Sequence, residues 1–391
     1  MKEFIFEIDY YNVPKYKQVV SGDSFFYTKT KGNRIVATLA DGLGSGIKAN
    51  VLSQLTASMT QKFMAADYDY LQTAQTILET LPVCSKRKIS YSTFTSVKIS
   101  PNGNTRILDY DNPELLWFRN NEYKPIILCN VDIDTLHTRK IVKYSKIKLE
   151  VGDRLILFSD GLVQSGITTK KFPLGWEVEY VKRFIINTVN KDENISARKL
   201  SKLLVDKALQ NDNGKAHDDI TCAVVYYKVA RKVILVTGPP STHEKDKYIV
   251  EEFKNFEGKK IIMGGTTSKI ISKQLNEKIE IDLDDLHSDI PPASKMKSAD
   301  IVAEGMLTLN KIISLLNGAP DDRIKGNDAA YKICNMLLDS DIIHFLVGTA
   351  INPAHQNPNM PVEMGLRRIS VNKIAEILEK KFLKKVEVEY V

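Results

Sequence analysis

The hydrophobic pattern of this 391-residue chain changes character near residue 230. Up to that point, short apolar runs alternate with turn clusters and two pairs of helix-like segments. The run Ile35–Ala40 reads as a strand, and residues 3–8 and 24–28 as its predecessors, with Asn33-Arg34 as the hairpin turn. Apolar residues at Val51, Leu52, Leu55, Met59 and Phe63 recur at helical spacing and predict a helix over 47–66. A second helix is expected over 70–81, stopped by Pro82. From Tyr91 to Lys148 the spacing is that of an antiparallel meander, with turns at Asn102-Gly103, Asn120-Asn121 and Asn130-Val131-Asp132. A strand from Asp153 then runs to Asp160, helices follow over 176–190 and 197–211, and a strand over 221–227 closes the region. This order predicts an α+β fold in which an antiparallel β-sandwich is flanked by helices.

Beyond residue 230 the apolar runs are continuous. Lys232–Thr237 and Lys259–Met263 each run into glycine, and further strands are expected over 279–283, 342–347 and 386–391. Helical patterns cover 299–316 and 371–384. Strands alternating with helices predict a second, α/β domain with a largely parallel sheet. The expected division is therefore 1–228 and 232–391. Within the second domain, Met263-Gly-Gly-Thr-Thr-Ser-Lys269 places glycines at a strand end and hydroxyl residues at a helix start. Such a turn exposes amide N–H groups that can hold an anion, or it is simply an N-cap supplied by Thr267 or Ser268. The Gly348–Pro353 turn and the His355–Asn359 loop are expected near the same crevice, which leaves open a regulatory, ligand-sensing domain with a small ligand.

Composition adds limits. Hydrophobic residues make up 43% and charged residues 26%, the balance of an ordinary globular chain. No apolar run is long enough to span a bilayer, and Met1–Asp9 alternates like a strand and does not resemble a leader, so no membrane association is expected. Cys84, Cys129, Cys222 and Cys334 are scattered with no C-x-x-C pair, which fits reduced thiols and a cytoplasmic location. Residues 232–391 carry 22 Lys+Arg against 23 Asp+Glu, or −1 of the net +7, which leaves +8 for residues 1–231. That excess is spread out, so the sequence points to an acidic phosphoprotein partner and not to nucleic acid. A homodimer is compatible with it.

Chemistry enters through acids at strand ends. Asp23 follows Ser21-Gly22, Asp41 ends the apolar run and begins Asp-Gly-Leu-Gly-Ser-Gly46, Asp160 stands in Ser-Asp-Gly161, and Asp218-Asp219 precede a strand. Any one alone reads as turn chemistry. Four such stations, with no Cys or His cluster nearby, suit oxygen ligation of Mg²⁺ or Mn²⁺. His217 reads as a surface turn residue.

The ordered set Ser-Gly-Asp23, Ala-Asp41-Gly-x-Gly, Ser-Asp160-Gly and Asp218-Asp-Ile-Thr221 resembles the metal-dependent serine/threonine phosphatases of type 2C. It is more similar still to their bacterial branch, typified by the sporulation stage II protein E (SpoIIE). The hairpin Leu108-Asp-Tyr-Asp-Asn-Pro-Glu-Leu-Leu-Trp117 and the strand Ser92–Lys98 extend the likeness, which covers roughly residues 1–228. The resemblance implies a phosphoprotein phosphatase that uses two Mn²⁺ or Mg²⁺ ions to activate water. Asp41 would touch both ions, with the Gly42 carbonyl completing one shell, Asp23 serving one ion and Asp160 with Asp218 the other. Asp219 would be a further ligand or a partner of one. Substrates in this branch are often phosphorylated anti-sigma-factor antagonists, and the helix pair after Asp41 can transmit activation. Leu43 stands where many type 2C enzymes have histidine, and no arginine precedes Ser21, as in the bacterial branch; the leaving-group proton donor is therefore unassigned. The competing reading is a catalytically weak, phosphatase-like binding or regulatory module with a C-terminal small-ligand sensor.

Overall fold

The computed structural model describes residues 3–30, 32–81, 92–134, 139–167, 169–281, 291–318, 328–350 and 360–391. They fall into two compact units, Phe4–Val229 and, with Glu3, Ala230–Val391.

The first unit opens with β1 (Phe4–Val13), β2 (Asp23–Lys29) and β3 (Ile35–Gly42), followed by α1 (Ile47–Ala65) and α2 (Tyr70–Thr80). Strands β4 (Ser92–Ile99), β5 (Asn104–Tyr110), β6 (Leu116–Arg119) and β7 (Glu122–Lys124) come next. After β8 (Cys129–Asp134), β9 (Arg139–Lys148) and β10 (Arg154–Phe158), helices α3 (Asp160–Gln164), α4 (Val178–Lys191) and α5 (Ala197–Asn211) lead to β11 (Ile220–Val229). Two antiparallel sheets result, ordered β1-β11-β10-β6-β7 and β2-β3-β4-β5-β9-β8. Their facing sides enclose Phe25, Leu39, Val97, Ile107, Leu155, Leu157 and Val225.

Both outer faces are covered as well. Helices α1 and α2 lay Ala57, Met64 and Ile77 on Val36, Ala40 and Phe94, and helices α4 and α5 lay Ile185, Leu200 and Leu204 on Ile156, Phe158 and Val224. A strand buried on two faces is apolar at nearly every position, which is why Ile35–Ala40 reads as a run interrupted by Thr38 alone, whose buried hydroxyl pairs with Ser96 Oγ at 2.8 Å.

The second unit comprises β12 (Lys232–Thr237), α6 (Glu244–Asn255), β13 (Lys259–Met263), α7 (Gly265–Leu275), β14 (Glu280–Ile281), β15 (Ser294–Met296) and β16 (Ala299–Ala303). It continues through α8 (Met306–Gly318), α9 (Ala329–Asp339), β17 (Ile342–Val347), α10 (Met360–Phe382) and β18 (Lys385–Tyr390). Its sheet runs β14-β15-β16-β13-β12-β17-β18, parallel from β16 to β18 and antiparallel at the β14 and β15 edge. Glu3 is tied in by Lys232 at 3.1 Å and Lys385 at 2.9 Å.

Several local expectations are corrected. Ala299–Ala303 is strand β16, not the start of a helix, because it pairs with β13 in the buried sheet. Asn130-Val131-Asp132 lies inside β8 and makes no turn; every residue from Cys129 to Asp134 has a partner on β9. The strand before Asp160 stops at Phe158, and Asp160 begins the short helix α3. Helix α7 begins at Gly265 with Gly264 as its N-cap, so Thr267 and Ser268 are inside it and neither is the cap. The predicted stop at Pro82 and the 355–359 loop lie outside the described residues.

Asp153, only 1% exposed, fixes the turn before β10 to β6. Its carboxylate accepts from Trp117 Nε1 (3.0 Å), Arg119 Nη2 (2.8 Å) and the Glu150 amide (2.9 Å). Replacing it with alanine leaves a guanidinium, an indole N–H and an amide without their acceptor, a loss expected to destabilise the unit by about 3 kcal/mol. Urea unfolding of Asp153→Ala measures this, and a change below about 1 kcal/mol would mean that water replaces the carboxylate at little cost.

Candidate functional site

Three chain segments bring the acids to one end of the sandwich. Asp23 and Asp41 are directly opposed on β2 and β3, so their side chains leave the sheet on the same face as immediate neighbours. Asp160 enters at the first turn of α3, after the buried strand β10. Asp218 and Asp219 come from the approach to β11, which pairs with β10.

Close backbone contacts lock these segments together. A Cβ on Gly161 would lie 2.2 Å from the Asp219 carbonyl oxygen, and one on Gly42 would lie 2.1 Å from the Ala49 carbonyl oxygen, so both positions exclude any larger residue. Ser159 Oγ accepts the Thr221 amide at 3.0 Å and donates to the Asp219 carbonyl at 3.3 Å. Asn12 on β1 donates to Ser21 Oγ (2.9 Å) and Thr221 Oγ1 (2.5 Å), and Ser21 Oγ accepts the Asp23 amide at 3.1 Å.

The electrostatics are those of acids held too close together. Burial, then Asp41, pushes the Asp23 carboxyl well above the usual range. Burial followed by repulsion from Asp160, Asp218 and Asp219 raises Asp41 to about 8, and the neighbouring Asp160 carboxylate further favours its protonated form. Asp160 is raised by burial and Asp218. Asp219 is raised chiefly by burial, offset in part by the Lys15 amide, which donates to Oδ1 at 2.9 Å.

Do these residues fit a divalent cation? Asp23 gives the clearest answer. It is 4% exposed, and neither carboxylate oxygen has a hydrogen-bond partner. Ser159 and Thr221 ease its charge from nearby but do not bond to it. A buried carboxylate without donors is costly, and a hard cation taking oxygen ligands removes that cost. Among the described residues no three His, Cys, Asp or Glu side chains form a ready-made metal-holding group.

Two polar residues beside the acids were not recognised in the sequence. Lys15 Nζ stands 3.7 Å from Asp218 Oδ1 and is 39% exposed. Asn112 is 6% exposed; its Oδ1 accepts from Thr93 Oγ1, and its Nδ2 has no acceptor. Thr93 is opposite Asp41 across β3 and β4, so the bond aims Asn112 from the acids' own end of the sheet. Asn112 was legible only as part of a hairpin motif, and Lys15 carries no local signal. His217 is exposed, as expected of a turn residue.

A pH dependence follows from Asp41. It gives up its proton near 8 in the folded chain but near 4 when unfolded. Between those values the unfolded state ionises first, so stability without metal should fall as pH rises from about 4 to about 8. Urea midpoints in EDTA should show this decline, flattened in Asp41→Asn and reversed by excess Mn²⁺ at pH 8. A pH-independent midpoint in the parent chain would refute the crowding of these acids.

The family profile of Stage II sporulation protein E (SpoIIE) matches residues 31–228. Stage II sporulation protein E of Bacillus subtilis (strain 168) is 22% identical over 207 residues, which is 53% of this chain and 24% of that protein, so the chain spans about a quarter of its relative's length. Among solved structures, the type 2C phosphatase domain of B. subtilis SpoIIE with a fragment of its regulatory domain aligns with TM-score 0.49 and 22% identity, covering 59% of this chain and 64% of that one. RsbX in complex with magnesium aligns with TM-score 0.39 and 15% identity, covering 58% and 100%. With half its length matched by that profile, and the acids of the motifs gathered at one end of its sandwich, the chain belongs to the SpoIIE family.

Proposed function

We propose that the first unit is a divalent-cation-dependent protein serine/threonine phosphatase. The observation that carries this reading is the buried, unbonded Asp23 carboxylate opposite Asp41, together with membership of the SpoIIE family. Asp23, Asp41 with the Gly42 carbonyl, Asp160 and Asp218 would hold two Mn²⁺ or Mg²⁺ ions. Bound there, the ions would supply Lewis acidity that acidifies a water and neutralises phosphoryl charge.

The chain's own groups do the rest. Asp219 is occupied by the Lys15 amide, so its role is to fix the Lys15 segment against the acids. The Lys15 ammonium, partly exposed at the rim, is placed to receive a phosphoryl oxygen of the incoming ester. The Asn112 amide, already oriented by Thr93, offers a second donor. Phosphoserine or phosphothreonine on a regulatory protein, such as an anti-sigma-factor antagonist, is the proposed substrate, reached from the more basic of the two chain regions. The Ala230–Val391 unit is proposed to be regulatory.

Phosphate release by the full chain from a phosphoserine peptide should require Mn²⁺ or Mg²⁺ and be abolished in Asp41→Ala. Lys15→Ala should raise KM about tenfold with a smaller effect on kcat, the equivalent of one charge-assisted hydrogen bond. Absence of any metal-dependent release, with metal binding intact, would reassign the unit to a binding and regulatory role.

A further inference from the structure

All five parallel strands of the second unit present their carboxyl ends on one edge of the sheet, the edge at which open α/β sheets take ligands. Most of that edge is shut where β12 and β17 meet. The Ala350 amide donates to the Pro239 carbonyl at 3.0 Å, and a Cβ on Gly348 would lie 2.2 Å from that same oxygen.

At the end of β13 the edge is open. Gly264, with φ +105°, turns the chain from β13 into α7 and carries no side chain to receive the helix's first amides. A side chain added there would meet only Thr267 Oγ1, at 3.5 Å, and one added at Gly265 would meet nothing within 4 Å. Thr267 itself is 2% exposed, and its hydroxyl has no hydrogen-bond partner. The hydroxyl thus faces the space where a capping side chain would sit. A helix start without a side-chain cap and an unbonded buried hydroxyl are both unfavourable. Here both deficits fall on one spot, and both are deficits of an acceptor.

We propose that the Gly264–Thr267 turn binds the phosphate group of a small phosphorylated ligand. The free amides at the start of α7, the Thr267 hydroxyl and the positive end of the helix dipole converge on a volume that no side chain among the described residues fills. Phosphate, with several acceptor oxygens, satisfies that donor set better than a planar carboxylate. Glu304 on the neighbouring turn accepts from the Met306 (3.2 Å) and Leu307 (2.9 Å) amides at the start of α8, whose helix dipole offsets part of its charge. Thr237, paired with Met263 at the end of β12, and Thr308, in the first turn of α8, add two more buried hydroxyls without partners at this edge.

Calorimetric titration tests this on the full chain carrying Asp41→Asn, in EDTA, so that the acid cluster in the first unit takes no part. Inorganic phosphate and AMP should bind, and adenosine should not. Tighter binding of AMP than of phosphate would identify a nucleotide as the ligand class, and equal binding would identify the phosphate group alone. Gly265→Asp, at a position with open space, should abolish binding by setting a carboxylate in the phosphate's place. Thr267→Val keeps the shape of the side chain and should weaken binding about tenfold, which covers the case in which Gly265→Asp fails to fold. Binding of neither anion, binding of adenosine as tightly as AMP, or unchanged affinity in Thr267→Val would overturn the proposal.

Discussion

Mutual repulsion among buried carboxylates is the constraint around which the first unit is built. Asp23 and Asp41 are cross-strand partners, and Asp160, Asp218 and Asp219 act on Asp41 from the other sheet. Each raises the cost of ionising the next. A chain free to relax would separate them. This one cannot, because Gly42 and Gly161 admit no side chain at their backbone contacts, and because Ser159, Asn12 and Ser21 bond the three segments to one another. The sandwich therefore stores unfavourable electrostatics at one end, relieved by a proton at low pH and, on the proposed reading, by a cation at neutral pH.

Rigidity behind the acids comes from burial on every side. Strand β3 carries Asp41 at its end and packs through Leu39 into the sandwich and through Ala40 onto α1. Its whole length is paired to β2 and β4. Moving Asp41 outward would mean breaking paired strands or opening a close-packed core, each worth several kcal/mol. Carboxylates held this rigidly suit the cation site proposed for them.

The acids were legible because an acid where a loop meets an apolar strand leaves a local mark, strengthened by Asp-Gly at Asp41 and Asp160, and four such marks in order are rarer than one. What went unread depended on partners distant in sequence. Ala299–Ala303 looks like the first turn of the helix that follows because a five-residue buried strand and a helical turn share a composition, and only pairing with β13 separates them. Asn130 and Asp132 suggested a turn by residue type, yet pairing with β9 keeps them extended. The start of α7 was placed too late because hydroxyl residues are good caps, whereas here Gly264 takes the cap position and leaves Thr267 inside. Lys15 reaches Asp218 across 203 positions in the chain, so no window of sequence could place it.

Helix α1 bears on how the site is balanced. Its first turn packs Ala49 on Gly42, and Asn50 Nδ2 donates to the Ser21 carbonyl at 2.7 Å, so its amino end abuts both Asp23 and Asp41. Gly46, its N-cap, supplies no side-chain acceptor, which leaves the first amides and the positive end of the dipole unmasked. A helix terminus is worth about half a unit charge. Against Asp23, Asp41, Asp160 and Asp218, that is too little to allow full ionisation, and the rise of Asp41 to about 8 shows the deficit persisting. The Lys15 ammonium, part-exposed and 3.7 Å from one oxygen of Asp218, is screened by water and does not close the gap. Neither of these two sources of positive charge suffices, so at neutral pH the repulsion is left to a retained proton or to the cations proposed for this site. Movement of α1 would change one of the dipoles that offset part of their repulsion without displacing any acid; the amino end of α3, whose Gly161 amide eases Asp160, supplies another.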